Sequence, residues 1–266
     1  MRANRLAAGR GPRWIAEAFV ICRAAPLRLL LLNFGFLFAV TFVVALPVAG
    51  FALVWLLIPA LSVGPHATAR AAARGEPLGA GLLLAGFRGQ GLAQLRLGGV
   101  YLAAMLLVLA ATVPADGGQF AQAMIGRTRL ELGDLQKAEL IDAMLVGAGL
   151  QTALLAALWY APLLVAWNGL PVLKAVFFST VATLLNWRAF LAYGVAITLL
   201  FVVVLLLALA FALLFSGSRA AQSNAALFAV IWTLLPVWFA ASYASYRDVF
   251  GEAQAASQIP YNSPRE

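Results

Sequence analysis

Residues 27–65 read LRLLLLNFGFLFAVTFVVALPVAGFALVWLLIPALSVGP, a segment whose one charged side chain is Arg28. A membrane-spanning helix needs about 20 consecutive apolar residues. This segment is therefore long enough for two spans, expected at 27–46 and 48–65, with a hairpin at the Pro-Val-Ala-Gly sequence of 47–50. A second apolar segment directly after the first also argues against a cleaved signal peptide.

The rest of the chain has the same apolar character. Hydrophobic residues make up 64% of the 266 residues and charged residues only 11%, whereas a soluble domain is about half apolar and a quarter charged. This composition excludes an ordinary soluble fold and predicts an all-α integral membrane protein of about six transmembrane helices. The further spans are expected at 97–114, 143–167, 188–215 and 226–246.

The distribution of basic residues predicts which side of the membrane each connection occupies. Lys and Arg accumulate in cytoplasmic loops because they resist translocation. With six spans, only four of the eighteen basic residues would lie opposite the termini: Arg127, Arg129, Lys137 and Arg219. We therefore expect a cytoplasmic N-terminal segment at 1–26, a periplasmic loop at 115–142 with a short helix from about Glu131, and a cytoplasmic tail at 247–266. Arginine far outnumbers lysine, and alanine and leucine are abundant, a composition typical of proteins from GC-rich bacterial genomes. The membrane is therefore expected to be a bacterial cytoplasmic (inner) membrane.

An internal threefold repeat also runs through the sequence. Each unit starts with a short segment that ends at an arginine of the following span: Arg28, Arg96 and Arg188. Five residues further on lie Asn33, Tyr101 and Tyr193. The second span of each unit carries a proline in an apolar setting: Pro59, Pro162 and Pro236. The predicted unit is an interfacial helix followed by two spans, three times over; chance similarity among apolar segments is the alternative.

The short lead segments have the pattern of helices that lie in the membrane surface. In the first, Ile15, Ala18, Phe19 and Cys22 share one face, as in an amphipathic helix, with Arg13 and Glu17 opposite. The third, before Arg188, is also two-faced, while the second, 79–94, is rich in glycine. We therefore predict that the lead segments lie at the surface rather than cross the bilayer.

Several short motifs resemble a known family, that of six-span proteobacterial membrane proteins to which no activity is assigned. The motifs are Trp14 with Phe19 and Pro26, RGEPL at 74–78, AGFR at 85–88, APL at 161–163, and Asn186-Trp187 before Phe190, Tyr193 and Gly194. The layout is also distantly similar to the membrane portion of some glycerophosphodiester phosphodiesterases, without room for their catalytic domain. The resemblance implies a membrane location and a six-span fold, and it brings no functional residues.

Residues that could carry chemistry are few. Cys22 and His66 are the only cysteine and histidine, so we expect neither a disulfide nor a metal site, and no cofactor. The six predicted span cores contain no Asp, Glu, Lys or His, which disfavours ion-coupled transport. Neutral polar residues in the spans are interpreted as pairing helices: Asn33, Thr41, Ser62, Gln151 and Thr152.

These observations favour a non-enzymatic scaffold or accessory subunit, with a transporter or lipid-handling protein for a neutral or lipid-like substrate as the alternative. Expected partners are membrane lipids, including anionic phospholipid, and another membrane protein, but not nucleic acid. Arg28, Arg96 and Arg188 are candidate contacts for lipid headgroups, with plain positive-inside anchoring as the alternative. Pro59, Pro162 and Pro236 are candidate helix kinks.

Overall fold

The computed structural model describes residues 3–46, 49–131, 133–215 and 219–251, without the side chains of 214–227 and 229. Within these ranges all regular secondary structure is helical and no strand is found. The predicted all-α integral membrane fold is therefore confirmed. Residues 47 and 48 of the predicted hairpin, and 252–266 of the predicted tail, lie outside the described residues.

Ten α-helices follow one another along the described residues. They are α1 (Arg10–Ala24), α2 (Pro26–Val44), α3 (Gly50–Ala73), α4 (Gly91–Asp116), α5 (Gln119–Met124), α6 (Ala138–Leu158), α7 (Ala161–Asn168), α8 (Val172–Leu185), α9 (Trp187–Phe215) and α10 (Arg219–Phe250). Short 3-10 helices occupy Ala80–Leu84 and Asp134–Gln136.

Five segments of the described chain are long and apolar enough to cross a bilayer. They are Pro26–Val44, Gly50–Ala73, Gly91–Asp116, Ala138–Asn168 and Trp187–Leu213. The sixth predicted span, 226–246, falls within α10, where part of the side chains lie outside the description.

Three helices extend well beyond the apolar segments from which the spans were predicted, and the predicted span 143–167 is divided between α6 and α7. α3 continues to Ala73, α4 begins at Gly91, and α10 passes the predicted start of the tail and ends at Phe250. Hydropathy marks only the apolar length of a helix, and its backbone hydrogen bonds can continue into polar surroundings. In the loop after α4, the described helices are α5 and Asp134–Gln136 rather than one helix from about Glu131.

The described chain divides into two compact units. The first comprises the residues up to Asn33, those at Thr68–Leu78 and those from Leu184 onward. In this unit α1 packs against both α9 and α10, which also pack against each other. The residues of α1 that pack inward are buried: Gly11, Trp14, Ile15, Ala18 and Ile21.

The second unit comprises Phe34–Ala67 and Gly79–Thr183. Here α4 packs against α5, α6 and α7. Met105, Val108 and Leu109 of α4 form a buried cluster. The partly buried side chains packed against it come from α3, from α5 and the residue after it, and from α6: Phe51, Trp55, Phe120, Ala121, Ile125 and Leu154.

The three lead segments differ in structure. The first is α1 and the third is α8, both regular helices. The second, 79–94, contains the short helix Ala80–Leu84 and a turn before α4 begins. Glycines account for this difference, because residues without a Cβ weaken a helix and favour turns; Gly89 has a φ of 76°.

Candidate functional site

The best-defined group of charged side chains in the described chain joins α1 to the end of α10, and we call it the α1–α10 cluster: Arg10, Trp14, Glu17, Arg247 and Asp248. Arg10 Nε and Trp14 Nε1 each donate to Asp248 Oδ2 at 2.8 Å, and Arg10 Nη2 also bonds to this oxygen. Glu17 accepts from Arg10 Nη2 at 2.9 Å and from Arg247 Nη2. Two guanidinium groups and two carboxylates therefore neutralise one another.

The cluster is half-buried, which strengthens its interactions relative to exposed ion pairs. The side chain of Asp248 is 14% exposed and that of Arg10 is 27% exposed. Partial desolvation lowers the pKa of Arg10, but the hydrogen bond and charge of Asp248, and then Glu17, raise it, so the net shift is upward. Arg10 therefore stays charged, and the cluster acts as a fixed contact between two helices.

An aromatic group continues inward from the cluster. Trp14 is only 1% exposed, and its ring centroid lies 5.6 Å from that of Phe190 and 5.9 Å from that of Tyr193. Tyr193 in turn contacts Trp238, with ring centroids 6.2 Å apart. The indole of Trp14 thus joins the ionic contact at Asp248 to the packing between α9 and α10.

The segment before α1 is held by the residue between α8 and α9. The Asn186 side chain accepts from the Leu6 backbone N–H at 2.8 Å and donates to the Asn4 carbonyl at 3.0 Å. The Asn4 backbone N–H donates to the Val249 carbonyl at 2.8 Å. Residues near the N-terminus are therefore tied both to the start of α9 and to the end of α10.

The residues that carry the family resemblance in the first and third repeats meet at this place. Trp14, Asn186, Phe190 and Tyr193 all belong to the group just described. Sequence reasoning missed Asp248, which it assigned to the cytoplasmic tail at 247–266. The sequence feature that could have indicated it is the Arg247-Asp248 pair directly after the last predicted span. A carboxylate there lies on the same predicted side of the membrane as the arginines of the N-terminal segment and could pair with them.

A second set of polar contacts surrounds the end of α6 in the other unit. Pro162 is the second residue of α7, and its ring nitrogen has no hydrogen to bond the Leu158 carbonyl one turn earlier. The Tyr101 hydroxyl donates to that carbonyl at 2.9 Å. Gln94 donates to the Pro162 carbonyl at 2.8 Å. Two side chains of α4 thus supply donors to the backbone at the break between α6 and α7.

The same break is supported from α8. The Tyr160 backbone N–H donates to the Ser179 hydroxyl at 2.9 Å, and the Thr180 hydroxyl lies 3.3 Å from the Ala157 carbonyl. Apolar surroundings make such bonds necessary, because an unpaired backbone group is costly within a bilayer. The break is therefore a stable feature, completed by residues from two other helices.

Three of the five neutral polar residues that were predicted to pair helices bond within their own helix instead. Asn33 donates to the Leu29 carbonyl, Ser62 to the Pro59 carbonyl and Thr152 to the Ala148 carbonyl, each within its own helix. Short polar side chains reach the preceding turn more readily than a neighbouring helix. The interhelical bonds around the α6–α7 break involve Gln94, Tyr101, Ser179 and Thr180 instead, which composition alone did not distinguish.

The predicted arginines fall at comparable places in the helices, whereas Pro162 lies at the start of α7 and the other two prolines lie within helices. Arg28, Arg96 and Arg188 are exposed near the starts of α2, α4 and α9, and the Arg188 guanidinium lies 5.4 Å from the ring of Trp187. Asn33, Tyr101 and Tyr193 are all buried. Pro59 and Pro236 lie inside α3 and α10, so bending at these helices stays a prediction.

An apolar groove lies between α9 and α10, with a volume of about 330 Å³. It is lined by Ile197, Thr198, Phe201, Val230, Ile231, Leu234, Leu235 and Trp238. Among its described lining side chains, Thr198 carries a hydroxyl group and Trp238 an indole N–H. Within the described residues, no group of three or more His, Cys, Asp and Glu could hold a metal ion.

Sequence comparison identifies a relative that matches from end to end. A protein of Burkholderia thailandensis described as a probable inner membrane protein is 32% identical over 279 aligned positions, covering 100% of both chains. The chain belongs to this family of inner membrane proteins. No family model matches the chain, and no solved structure matches it. The predicted membrane family is thereby supported, whereas these comparisons do not support the likeness to glycerophosphodiester phosphodiesterases.

Proposed function

We propose that this inner membrane protein is a scaffold or accessory subunit without catalytic activity of its own. The observation that carries the proposal is that the buried and half-buried polar side chains described above form hydrogen bonds and ion pairs with other parts of the same chain. Asp248 and Glu17 hold α1 on α10, and Tyr101 and Gln94 complete the backbone at the α6–α7 break. A fold that uses its polar groups in this way is suited to presenting rigid helices.

The exposed apolar side of α9 supports the proposal that another membrane protein binds here. Only 6% of the residues in its most apolar stretch are buried in the protein, and Val195, Leu199 and Leu206 are each more than half exposed. These positions recur at helical spacing along one side of the span. Such a stripe would pack against a helix of a partner subunit or against lipid.

Site-specific photo-crosslinking in cells tests the scaffold proposal. A photoreactive residue at position 199 or 206 should give a discrete protein adduct. The same residue at position 145 serves as the control, because Leu145 is a similarly exposed apolar residue of α6. Adducts with lipid alone at 199 and 206, or the same protein adducts at 145, would contradict a partner surface on α9.

The groove between α9 and α10 favours the second candidate function, the handling of a neutral or lipid-like substrate. Its volume of about 330 Å³ is within the range of small-molecule sites, which are mostly apolar. Thr198→Trp would fill part of this space. A transport or lipid-transfer role predicts loss of lipid exchange in proteoliposomes with this variant, while a scaffold retains its crosslinks.

The exposed arginines at the starts of the spans are proposed to contact lipid headgroups, with anionic phospholipid as the ligand. Guanidinium groups can bind phosphate bidentately. Native mass spectrometry of Arg28→Ala, Arg96→Ala and Arg188→Ala would show loss of a defined lipid if these are specific contacts. Retention in the matching Arg→Lys variants would instead indicate ordinary anchoring. Both termini are proposed to be cytoplasmic, because the basic residues concentrate on their side.

A further inference from the structure

α1 has a second face, which its packing against α9 and α10 leaves exposed. Six of the seven exposed residues of this helix recur at helical spacing and form what we call the outer face of α1: Pro12, Arg13, Ala16, Phe19, Val20 and Arg23. At about 100° per residue they occupy a strip about 120° wide. The sequence predicted Ile15, Ala18 and Phe19 on one apolar face, but the structure buries the first two and exposes the third.

The charge of the outer face is positive. Arg13 and Arg23 lie near its two ends, about 15 Å apart along the helix axis. The one acidic residue of α1 is Glu17, and its carboxylate is bonded to Arg10 and Arg247 in the α1–α10 cluster. The outer face thus carries two guanidinium groups and no carboxylate.

The position of α1 along the chain places this face at the membrane surface. α1 ends at Ala24, and α2, an apolar segment able to cross the bilayer, begins at Pro26. One residue between the helices keeps the end of α1 where α2 enters the membrane. Between the arginines of the outer face, Phe19 is 42% exposed and Val20 is 59% exposed, so apolar surface is available for insertion.

From this charge, exposure and position we infer that the outer face of α1 binds the surface of a membrane that contains anionic phospholipid. Arg13 and Arg23 contact lipid phosphates, and Phe19 and Val20 lie among the upper parts of the acyl chains. Amphipathic helices with basic and aromatic residues bind membranes in this way. The α1–α10 cluster contributes by neutralising Glu17, which would otherwise repel the same phosphates. The inference stands independently of the proposed scaffold function.

Electron paramagnetic resonance of spin-labelled lipids tests the electrostatic part with the intact protein in lipid vesicles. The double variant Arg13→Gln, Arg23→Gln should lower the preference for phosphatidylglycerol over phosphatidylcholine by about fivefold for each arginine, since a surface cation contributes about 1 kcal/mol. The matched control removes two exposed arginines from the loop after α4, by Arg127→Gln and Arg129→Gln. An equal loss of preference in both double variants would show an effect of net charge and overturn the inference.

The depth of α1 in the membrane is a second quantity that can be measured independently. A spin label at Val20→Cys, in a Cys22→Ser background, should collide with oxygen more often than with a water-soluble nickel complex. A label at Glu76→Cys, an exposed position between helices, is the aqueous reference. Equal nickel accessibility at the two sites would overturn the inference. So would unchanged lipid preference in the Arg13, Arg23 variant together with loss of a copurifying acidic protein, because the outer face would then be a protein interface.

Discussion

At position 162 a proline removes the N–H that would bond the Leu158 carbonyl, and the Tyr101 hydroxyl supplies a donor in its place. We expect Tyr101→Phe to lower the free energy of unfolding by about 1–2 kcal/mol, because a buried carbonyl loses its partner. In a Pro162→Ala background the same change should cost less, since the N–H of residue 162 can then bond Leu158. Unfolding of the four proteins in detergent micelles gives this double-mutant cycle, and equal costs in both backgrounds would contradict the pairing.

Asp248 is the residue on which the contact between α1 and α10 most depends. It accepts hydrogen bonds from both Arg10 and Trp14. Asp248→Asn should lower the free energy of unfolding by about 2 kcal/mol, between the effects of breaking an exposed and a fully buried ion pair. The melting temperature in detergent is the measurement.

Asp134 provides the matched control for that substitution. Its carboxylate lies 2.7 Å from Lys137 Nζ, and this hydrogen bond is the largest contribution that lowers its pKa to about 2. Lys137 is 55% exposed and the pair joins two residues of one loop, so Asp134→Asn should lower the melting temperature less than Asp248→Asn does. Equal effects of the two Asp→Asn variants would show that the α1–α10 cluster contributes no more than a surface ion pair.

At the scale of elements, close approach of α3 and α4 depends on one of two adjacent glycines. A Cβ on Gly98 would collide with the Leu56 carbonyl oxygen, whereas a Cβ on Gly99 would meet nothing within 4 Å. Gly98→Ala should therefore destabilise the protein by about 1–3 kcal/mol through overpacking. Gly99→Ala should be neutral or stabilising by up to about 1 kcal/mol, because alanine is the better helix former.

Thermal unfolding of these two variants is the measurement. Both replace one glycine of α4 by alanine, so the difference between their melting temperatures reports the interhelical contact and not helix propensity. A similar result for both would mean that the helices can separate at this point without cost. α1 shows the same dependence on a small residue, since a Cβ on Gly11 would collide with the Ala189 carbonyl oxygen. Helix contacts of this kind rely on backbone approach, as is common within membranes.

For the whole molecule, the basic residues predict the direction in which each span crosses the membrane. Alkaline phosphatase fused after Gly75, in the connection after α3, should be inactive because that connection is predicted to be cytoplasmic. A fusion after Gly126, in the loop between α5 and α6, should be active. The reverse pattern of enzyme activity would invert the topology and place the outer face of α1 at the opposite membrane surface.

Much of the architecture follows from the sequence because hydropathy is a local property that adds up along the chain. The segment 27–65 is apolar over twice the length of a span whatever surrounds it, so α2 and α3 were predicted close to where they lie. The amphipathic lead segment before Arg28 was likewise recognised from its own residues. Helix ends were less well predicted, because helices continue past the apolar segment, as α10 does to Phe250.

The contacts that join distant parts of the chain were decided by the tertiary structure. Arg10 and Asp248 are separated by 238 positions, and nothing in either neighbourhood specifies the other as its partner. The inward and outward faces of α1 could not be distinguished by periodicity, since apolar residues occur on both. Sequence by itself determined which segments are long and apolar enough to enter a membrane, because transfer from water depends on local composition. Which side chains contact one another was decided by the packing of the helices. Hydrogen bonds and ion pairs act over only a few ångströms, so they form where the fold brings distant residues together.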